Sequence, residues 1–244
     1  MPLPKIATPT YELELPSTGK TIQYRPFLVK EEKLLVIALE SEDTKQITTA
    51  IKAVLRNCIL TKGVKVEALP TFDIEFLFLN IRGKSVGEDL EVNILCPDDG
   101  KTSVPVSINL DDIVVQKSEN HTNQIKLDTK IMMEMKYPSL DEFIKNNFDF
   151  NDTNQMDQSF KLIASCIDKI YTEDDVWASE DCTKKEMNDF LESMNSQQFK
   201  EIEAFFTTMP KLSHTIKVTN PETKVESDVV LEGLASFFGE AWYT

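Results

Sequence analysis

The residues best suited to chemistry lie together at Cys96-Pro97-Asp98-Asp99, where a thiol is closely followed by two carboxylates. This stretch is similar to half of a zinc knuckle in which Asp replaces the second Cys, and His121 would supply a further ligand if its loop folded back. A structural zinc site needs about four ligands, and here the fourth is missing. We therefore expect Cys96 to end an alternating apolar strand face, and we predict no metal or other cofactor. A small metal-binding module around Cys96 is the alternative.

Catalysis by a nucleophile and a histidine has few ways to exist in this chain, because its only histidines are His121 and His214. His214 continues an alternating strand pattern and is expected to be half-buried, whereas His121 is expected in a solvated polar loop. Adjacent carboxylates could act as general acid and base, so a hydrolase using surface carboxylates is an alternative. Such pairs occur at Asp98-Asp99, Asp111-Asp112 and Asp174-Asp175. Nothing selects one pair, and we predict a protein that is not an enzyme and has no small-molecule substrate.

Two tripeptides, Gly19-Lys20-Thr21 and Gly100-Lys101-Thr102, look like the end of a phosphate-binding loop. That loop needs another Gly five positions earlier, so that backbone amides can surround the phosphates, and it leads into a helix. The corresponding positions hold Glu14 and Leu95, and a strand pattern follows each tripeptide. Both tripeptides are therefore predicted to lie in hairpin turns. Asp149 to Asp157 is likewise too irregular for a calcium loop and lacks the Gly of such a loop.

One acidic segment carries the features of a protein contact. Tyr171 to Cys182 reads Tyr-Thr-Glu-Asp-Asp-Val-Trp-Ala-Ser-Glu-Asp-Cys and places Trp177 in a polar run between two predicted helices. A Trp that becomes buried on binding contributes a large contact area at low entropic cost. The alternative is that Trp177 folds back as a lid on the helical core. The predicted partner-binding residues are Asp174, Asp175, Trp177, Glu180 and Asp181.

Three stretches that would form the scaffold repeat one pattern: an alternating apolar strand, a turn opened by Pro and closed by Lys, and a second alternating strand. Apolar residues at every second position place one strand face on a core and the other in water. Pro and Gly punctuate turns because they fix or free φ where the chain reverses. The three predicted hairpins are Tyr11 to Tyr24, Leu90 to Val106 and His214 to Val230.

Helical periodicity accounts for most of the remaining chain. The apolar stripe from Ile47 to Ile59 follows the i, i+3, i+4, i+7 spacing of a core-facing helix, and the helix from Thr71 to Arg82 is apolar nearly all round, so it should be central. Further helices are predicted at Glu31 to Glu40, on the apolar stripe from Met156 to Ile170, after the capping boxes Ser139/Glu142, Thr183/Glu186 and Asn195/Gln198, and at Leu231 to Phe238. A strand pair is predicted at Ile125 to Tyr137.

This order of elements predicts an α+β fold, with antiparallel β-hairpins packed with amphipathic helices and a helical C-terminal part. We expect a hairpin-plus-helix domain over residues 1–145 and a mainly helical part with a closing β-hairpin over residues 146–244. The polar stretch from Asn146 to Gln155 would be the linker between them.

The composition excludes several classes of function. The net charge is −15, from 41 acidic against 26 basic residues, with no clustered basic patch, so nucleic acid is a poor partner. No apolar run approaches the roughly 20 residues of a membrane span, and no signal pattern opens the chain. The four cysteines form no Cys-x-x-Cys pair and fit a reducing compartment. A soluble protein made in a cytoplasm is expected.

Several segments taken together resemble the T4-like bacteriophage baseplate protein family, which covers the baseplate hub subunit and the hub assembly chaperone. They are Leu3 to Gly19, Ile22 to Leu35, Phe72 to Gly87, the Cys96-Pro97 hairpin, His121 to Leu127 and Met135 to Leu140. The resemblance covers roughly residues 1–145 and is weaker in the C-terminal part.

The resemblance implies a non-enzymatic role in assembling the tail baseplate hub of a contractile-tailed phage. Other hub or tail proteins would be the partners, in the host cell cytoplasm during assembly or in the virion baseplate. The family brings no catalytic residues to this chain. Some members carry a second Cys where this chain has Asp99, which weakens a metal site further.

Overall fold

The structure is a computed structural model that describes residues 6–41, 43–139, 155–233 and 236. These residues form six α-helices and eleven β-strands, and every strand pair is antiparallel, which confirms the α+β class. The helices are α1 (Val29–Glu40), α2 (Thr44–Cys58), α3 (Thr71–Val86), α4 (Gln155–Cys166), α5 (Lys184–Glu192) and α6 (Ser196–Thr208). The strands are β1 (Tyr11–Glu14), β2 (Thr21–Tyr24), β3 (Asp89–Leu95), β4 (Ser103–Asn109), β5 (Val114–Gln116), β6 (Gln124–Lys126), β7 (Met132–Met135), β8 (Ile167–Tyr171), β9 (Val176–Ala178), β10 (Lys211–Thr219) and β11 (Glu226–Glu232).

The chain divides into two compact units. The first contains the described residues up to Val66, Phe72–Gln116 and those from Lys211 onward, and the second contains Glu67–Thr71 and the described part of Lys117–Pro210. The predicted domain boundary between residues 145 and 146 lies outside the described residues. The same holds for the predicted linker up to residue 154, for the calcium-loop candidate up to residue 154, and for Glu142 of the first predicted capping box.

The three predicted hairpins are confirmed as β1–β2, β3–β4 and β10–β11, all in the first unit. Their turns share one geometry: the residue before the proline accepts a backbone hydrogen bond from the N–H four residues later, which belongs to a residue with positive φ. The bonds run from Gly19 to Leu15 (2.8 Å), from Gly100 to Cys96 (2.9 Å) and from Lys224 to Asn220 (2.9 Å). Glycine adopts positive φ without steric cost, which explains its place before the closing lysine in the first two turns. Both glycine-lysine-threonine tripeptides therefore lie in hairpins, as predicted.

The core of the first unit joins α3 with two of these hairpins. Alternate residues of β3 face inward, so Leu90, Val92, Ile94 and Cys96 are all buried. The helix α3 is buried on nearly all sides, which confirms its predicted central position. The α2 stripe is confirmed only in part, because Val54, Leu55 and Cys58 are fully buried whereas Ile47, Ile51 and Ile59 remain partly exposed.

In the second unit, α4, α5 and α6 pack with a four-stranded sheet in the order β6-β7-β8-β9. The strand pair predicted from Ile125 is confirmed as β6–β7. Both capping boxes in this unit are also confirmed. Thr183 Oγ1 accepts from Glu186 N (3.2 Å) while the Glu186 carboxylate accepts from Thr183 N (2.7 Å), and Asn195 and Gln198 exchange the equivalent bonds. None of the described helices is long and apolar enough to cross a membrane.

The prediction of one helix from Met156 to Ile170 was wrong. Helix α4 ends at Cys166, and Ile167 begins β8. Ile167 and Ile170 are both buried although three positions separate them, a spacing typical of a helix face. The reason is an irregularity opposite Glu134 and Met135 of β7, where the register shifts and restores both isoleucines to the inner face.

The prediction of a helical C-terminal part was also wrong. After α6 the chain enters β10 and β11, so the last named elements of the described C-terminal region are strands. Leu231 and Glu232, predicted to start a closing helix, belong to β11, whereas Gly233 and Ser236 are helical and the other residues of that predicted helix lie outside the described residues. The alternating pattern of the closing hairpin was therefore the stronger signal.

His121 does not lie in open solvent, as the sequence suggested. Its Nδ1 lies 3.0 Å from Thr208 Oγ1 and its Nε2 lies 3.0 Å from Tyr137 Oη. The imidazole stacks on Tyr137 and tilts against Phe205. Burial, with a smaller effect from the charge of Lys117, lowers the pKa of His121, because both disfavour the imidazolium form.

Candidate functional site

The acidic segment singled out in the sequence is organised by a tight turn and a short strand. Thr172 N–H donates to the Asp175 carbonyl (2.8 Å), and Asp175 N–H donates to Thr172 Oγ1 (3.1 Å). The following residues, Val176–Ala178, form β9, which pairs with β8. Trp177 therefore lies on a short strand between α4 and α5, within the polar run expected there.

Trp177 occupies the edge of the sheet. It is paired with Ile170 across the β8–β9 ladder, so both side chains belong to the same, core-facing side. Ile170 is buried, whereas Trp177 remains 45 % exposed. The alternative of a Trp closed as a lid over the core is therefore realised only in part, since almost half of the side chain is open to solvent.

The predicted acidic residues surround this Trp along the chain. Asp174 and Asp175 precede β9, Glu180 and Asp181 follow it, and all four are exposed. Among the described residues none of them forms a salt bridge. Their charges are therefore uncompensated by direct contacts, and they produce a negative potential that favours a basic partner. We call Glu173 to Asp181 the acidic edge.

A cleft of about 580 Å³ in the same unit shares Ser179 and Glu180 with the acidic edge. Its lining includes three lysines, Lys136, Lys161 and Lys184, and Glu180 is the one carboxylate among the described residues that line it. A hydrolase that uses paired carboxylates needs two acids converging on one cavity. The pair Asp174-Asp175 lies in the exposed β8–β9 turn instead, so this cleft does not support that alternative.

The cluster around Cys96 joins two hairpin turns of the first unit. Asn220 Nδ2 donates to both Asp98 (3.1 Å) and Asp99 (3.0 Å), and Thr223 Oγ1 donates to Asp98. Bonds from Thr223 and Asn220 lower the pKa of Asp98.

The second carboxylate of this cluster is held by its own turn. Bonds from the Thr102 side chain and the Lys101 and Thr102 N–H groups lower the pKa of Asp99. Desolvation and these two carboxylates raise the pKa of the Cys96 thiol, which disfavours the thiolate that binds metals.

Among the described residues no group of three or more His, Cys, Asp or Glu side chains could hold a metal ion. His121 belongs to the second unit and is engaged there by Thr208 and Tyr137. The carboxylates of Asp98 and Asp99 thus serve as acceptors that connect turns.

Sequence reasoning missed Val176, which is 67 % exposed beside Trp177. The sequence signal for it was a β-branched residue next to an aromatic one, with acids on both sides. β-Branched and aromatic residues are enriched in strands. β9 is the outer strand in the order β6-β7-β8-β9, and among the described residues no strand pairs with it on the side away from β8. Val176, Trp177 and the acids therefore form one surface at the open side of β9.

Comparison with protein families gives one finding for this chain. The family model described as T4 bacteriophage base plate protein matches residues 8–239, which include almost all of both units. The match extends through the C-terminal part, where the resemblance of individual segments was weak. The comparisons with curated proteins and with solved structures gave no match.

Proposed function

The chain belongs to the T4 bacteriophage baseplate protein family, and we propose that within it the chain acts as a non-enzymatic binding protein in assembly of the baseplate hub. Family membership makes it a phage baseplate protein and implies other tail proteins as its partners. The hub is the finer assignment, supported by the resemblance of the N-terminal segments to hub proteins. Assembly would take place in the host cell cytoplasm.

The acidic edge is the proposed partner-binding surface, with Trp177 as its anchor. The observation that carries this assignment is the combination of a half-exposed Trp with Asp174, Asp175, Glu180 and Asp181, all exposed. Binding would bury the open part of the indole ring, which supplies affinity, while the acids attract a basic partner and accelerate encounter. The exposed acids contribute more to rate and partner choice than to affinity, since solvent and salt screen them.

The test is Trp177→Ala in the full chain, assayed for incorporation into hub complexes isolated from infected cells. We expect assembly to weaken at least about tenfold, with a melting temperature close to that of wild type, and binding to weaken as salt rises. Val230→Ala, which truncates an exposed valine on β11 of the first unit, is the control and should assemble normally.

Unchanged assembly by Trp177→Ala would overturn the proposed surface. A fall in melting temperature that accounts for the whole loss of binding would show that Trp177 acts through the fold.

Mass spectrometry of proteins captured with the tagged wild-type chain, compared with the content of mature particles, then distinguishes a virion component from an assembly factor.

A further inference from the structure

The backbone of β9 has one side engaged and one side open. Ser179 N–H donates to the Asp168 carbonyl (2.8 Å), and Thr172 N–H donates to the Asp175 carbonyl (2.8 Å), so Asp175 and Ser179 face β8. Hydrogen-bonding direction alternates along an antiparallel strand, which makes Trp177 face β8 as well. The N–H and C=O groups of Val176 and Ala178 therefore point away from β8. The Ala178 carbonyl is already engaged, because it accepts a hydrogen bond from the Asp181 N–H (3.0 Å), whereas the other three groups remain open to an added strand. Among the described residues no strand pairs with them.

Both faces at this edge would offer apolar contact to an added strand. Met132, Tyr171 and Val176 form one cross-strand row on the outer face, and all three are at least partly exposed. On the inner face, Trp177 ends the row formed by the buried Ile125, Met133 and Ile170. A strand laid beside β9 would extend both rows, and cross-strand pairs of aromatic and β-branched residues stabilise such additions.

The charges distinguish this edge from the longer free edge of β11. On β11, Glu226 is paired with Lys217 (3.2 Å) and Glu232 lies 3.9 Å from Lys211, so two of its three acids are compensated within the hairpin. The acidic edge has five acids between residues 173 and 181, no base among them, and no salt bridge in the described part of the chain. These acids therefore remain available to a basic incoming segment.

From this geometry we propose that β9 binds an extended basic segment of a partner baseplate protein, which pairs with the outer edge of β9 as a fifth strand of the sheet. The segment would carry a short β-branched or aromatic stretch with Lys or Arg on both sides. Main-chain bonds to the N–H and C=O of Val176 and to the N–H of Ala178 would give affinity, and the acids before and after β9 would select the charge. This inference rests on the proposed function and specifies how its surface binds.

The test uses the full chain and overlapping synthetic peptides that cover the other baseplate proteins of the same phage. We expect peptides with the basic-flanked apolar pattern to bind the wild-type chain, and their binding to weaken as salt rises. Bound peptide should slow hydrogen exchange at the amides of Val176 and Ala178, whereas the amides of Trp177 and Ser179, already facing β8, should change little.

Val176→Pro supplies the decisive variant, because proline removes the outward N–H and leaves the bonds to β8 intact. It should bind such peptides at least about tenfold more weakly than wild type, with little change in melting temperature. Val176→Ala is the matched variant that truncates the side chain and keeps the N–H, so it should bind more tightly than Val176→Pro, and the difference between the two isolates the main-chain bond. If Val176→Pro fails to fold, Ala178→Pro is used instead, because it removes the outward N–H of Ala178.

Absence of binding by every peptide, equal binding by Val176→Pro and Val176→Ala, or unchanged exchange at Val176 in the wild-type complex would each overturn strand addition. Failure of this proposal is distinguishable from failure of the proposed function. If Trp177→Ala abolishes hub assembly while Val176→Pro assembles normally, the acidic edge is the binding surface but the partner does not bind by strand addition.

Discussion

Asn220 connects two hairpin turns of the first unit, and its replacement by alanine gives a stability change that can be worked out from the structure. The side chain is 1 % exposed. Its Nδ2 donates to Asp98 and Asp99, and its Oδ1 accepts from the backbone N–H of Glu222 (2.9 Å) and Thr223 (3.4 Å). Asn220→Ala removes all of these bonds at once.

A net hydrogen bond in a folded protein contributes about 1 kcal/mol, because the unfolded chain bonds water instead. Two Asn220 bonds are counted as strong, one to the carboxylates and one from the Glu222 N–H. We therefore expect the free energy of unfolding to fall by about 2 kcal/mol. The exposed carboxylates can regain water, which argues against a larger figure. For a protein of this size the loss corresponds to a fall in melting temperature of about 4–8 °C.

The assay is thermal and urea unfolding followed by circular dichroism, with Asn220→Asp as a second variant. Aspartate at this position keeps an acceptor for Glu222 and Thr223 but places a third carboxylate beside Asp98 and Asp99. Its loss of stability relative to wild type should therefore be larger at neutral pH than near pH 4, where the new carboxyl begins to take up a proton. An Asn220→Ala protein that melts like wild type would refute the reasoning, and so would an Asn220→Asp protein whose deficit does not depend on pH.

Two further predictions concern stability. Val54→Asp places a carboxylate at a fully buried position of α2 and should cost about 3 kcal/mol or more, whereas Ile51→Asp, at a partly exposed position, should cost clearly less; equal losses in urea unfolding would contradict this order. The lowered pKa of His121 means that the unfolded chain takes up this proton first, so the second unit should lose stability as pH falls below about 6.5 through the lowered folded pKa. His121→Gln, compared with wild type in urea unfolding at several pH values, should reduce that dependence, and an unchanged pH profile would contradict it.

The hairpins could be predicted because their information is local. In the β3–β4 hairpin, the alternation of Leu90, Val92 and Ile94 already specifies which face is buried, and Pro97 with Gly100 specifies where the chain reverses. Capping boxes such as Thr183/Glu186 are local in the same sense, since both partners lie within one helical turn. Patterns of this kind do not depend on which other segment packs against them.

The switch from α4 to β8 could not be predicted by the same reasoning. Ile163, Ile167 and Ile170 have the spacing of a helix face, and only the register shift opposite Glu134 and Met135 lets a strand bury the last two. That shift is a property of the pairing between β7 and β8, which are separated by more than thirty positions in the sequence. Periodicity within one segment cannot contain it.

Prediction of the candidate site from the sequence is limited in the same way. The acids and Trp177 were visible in the sequence, and the exposure of the acids could be expected from their charge. That the N–H and C=O of Val176 and the N–H of Ala178 point away from the sheet follows only from the pairing of β9 with β8, a segment whose spacing indicates a helix. Composition thus predicts what kind of partner the surface attracts, whereas register determines which main-chain groups that partner can use. A test on side chains alone would miss the second property, and for this reason Val176→Pro is paired with Val176→Ala.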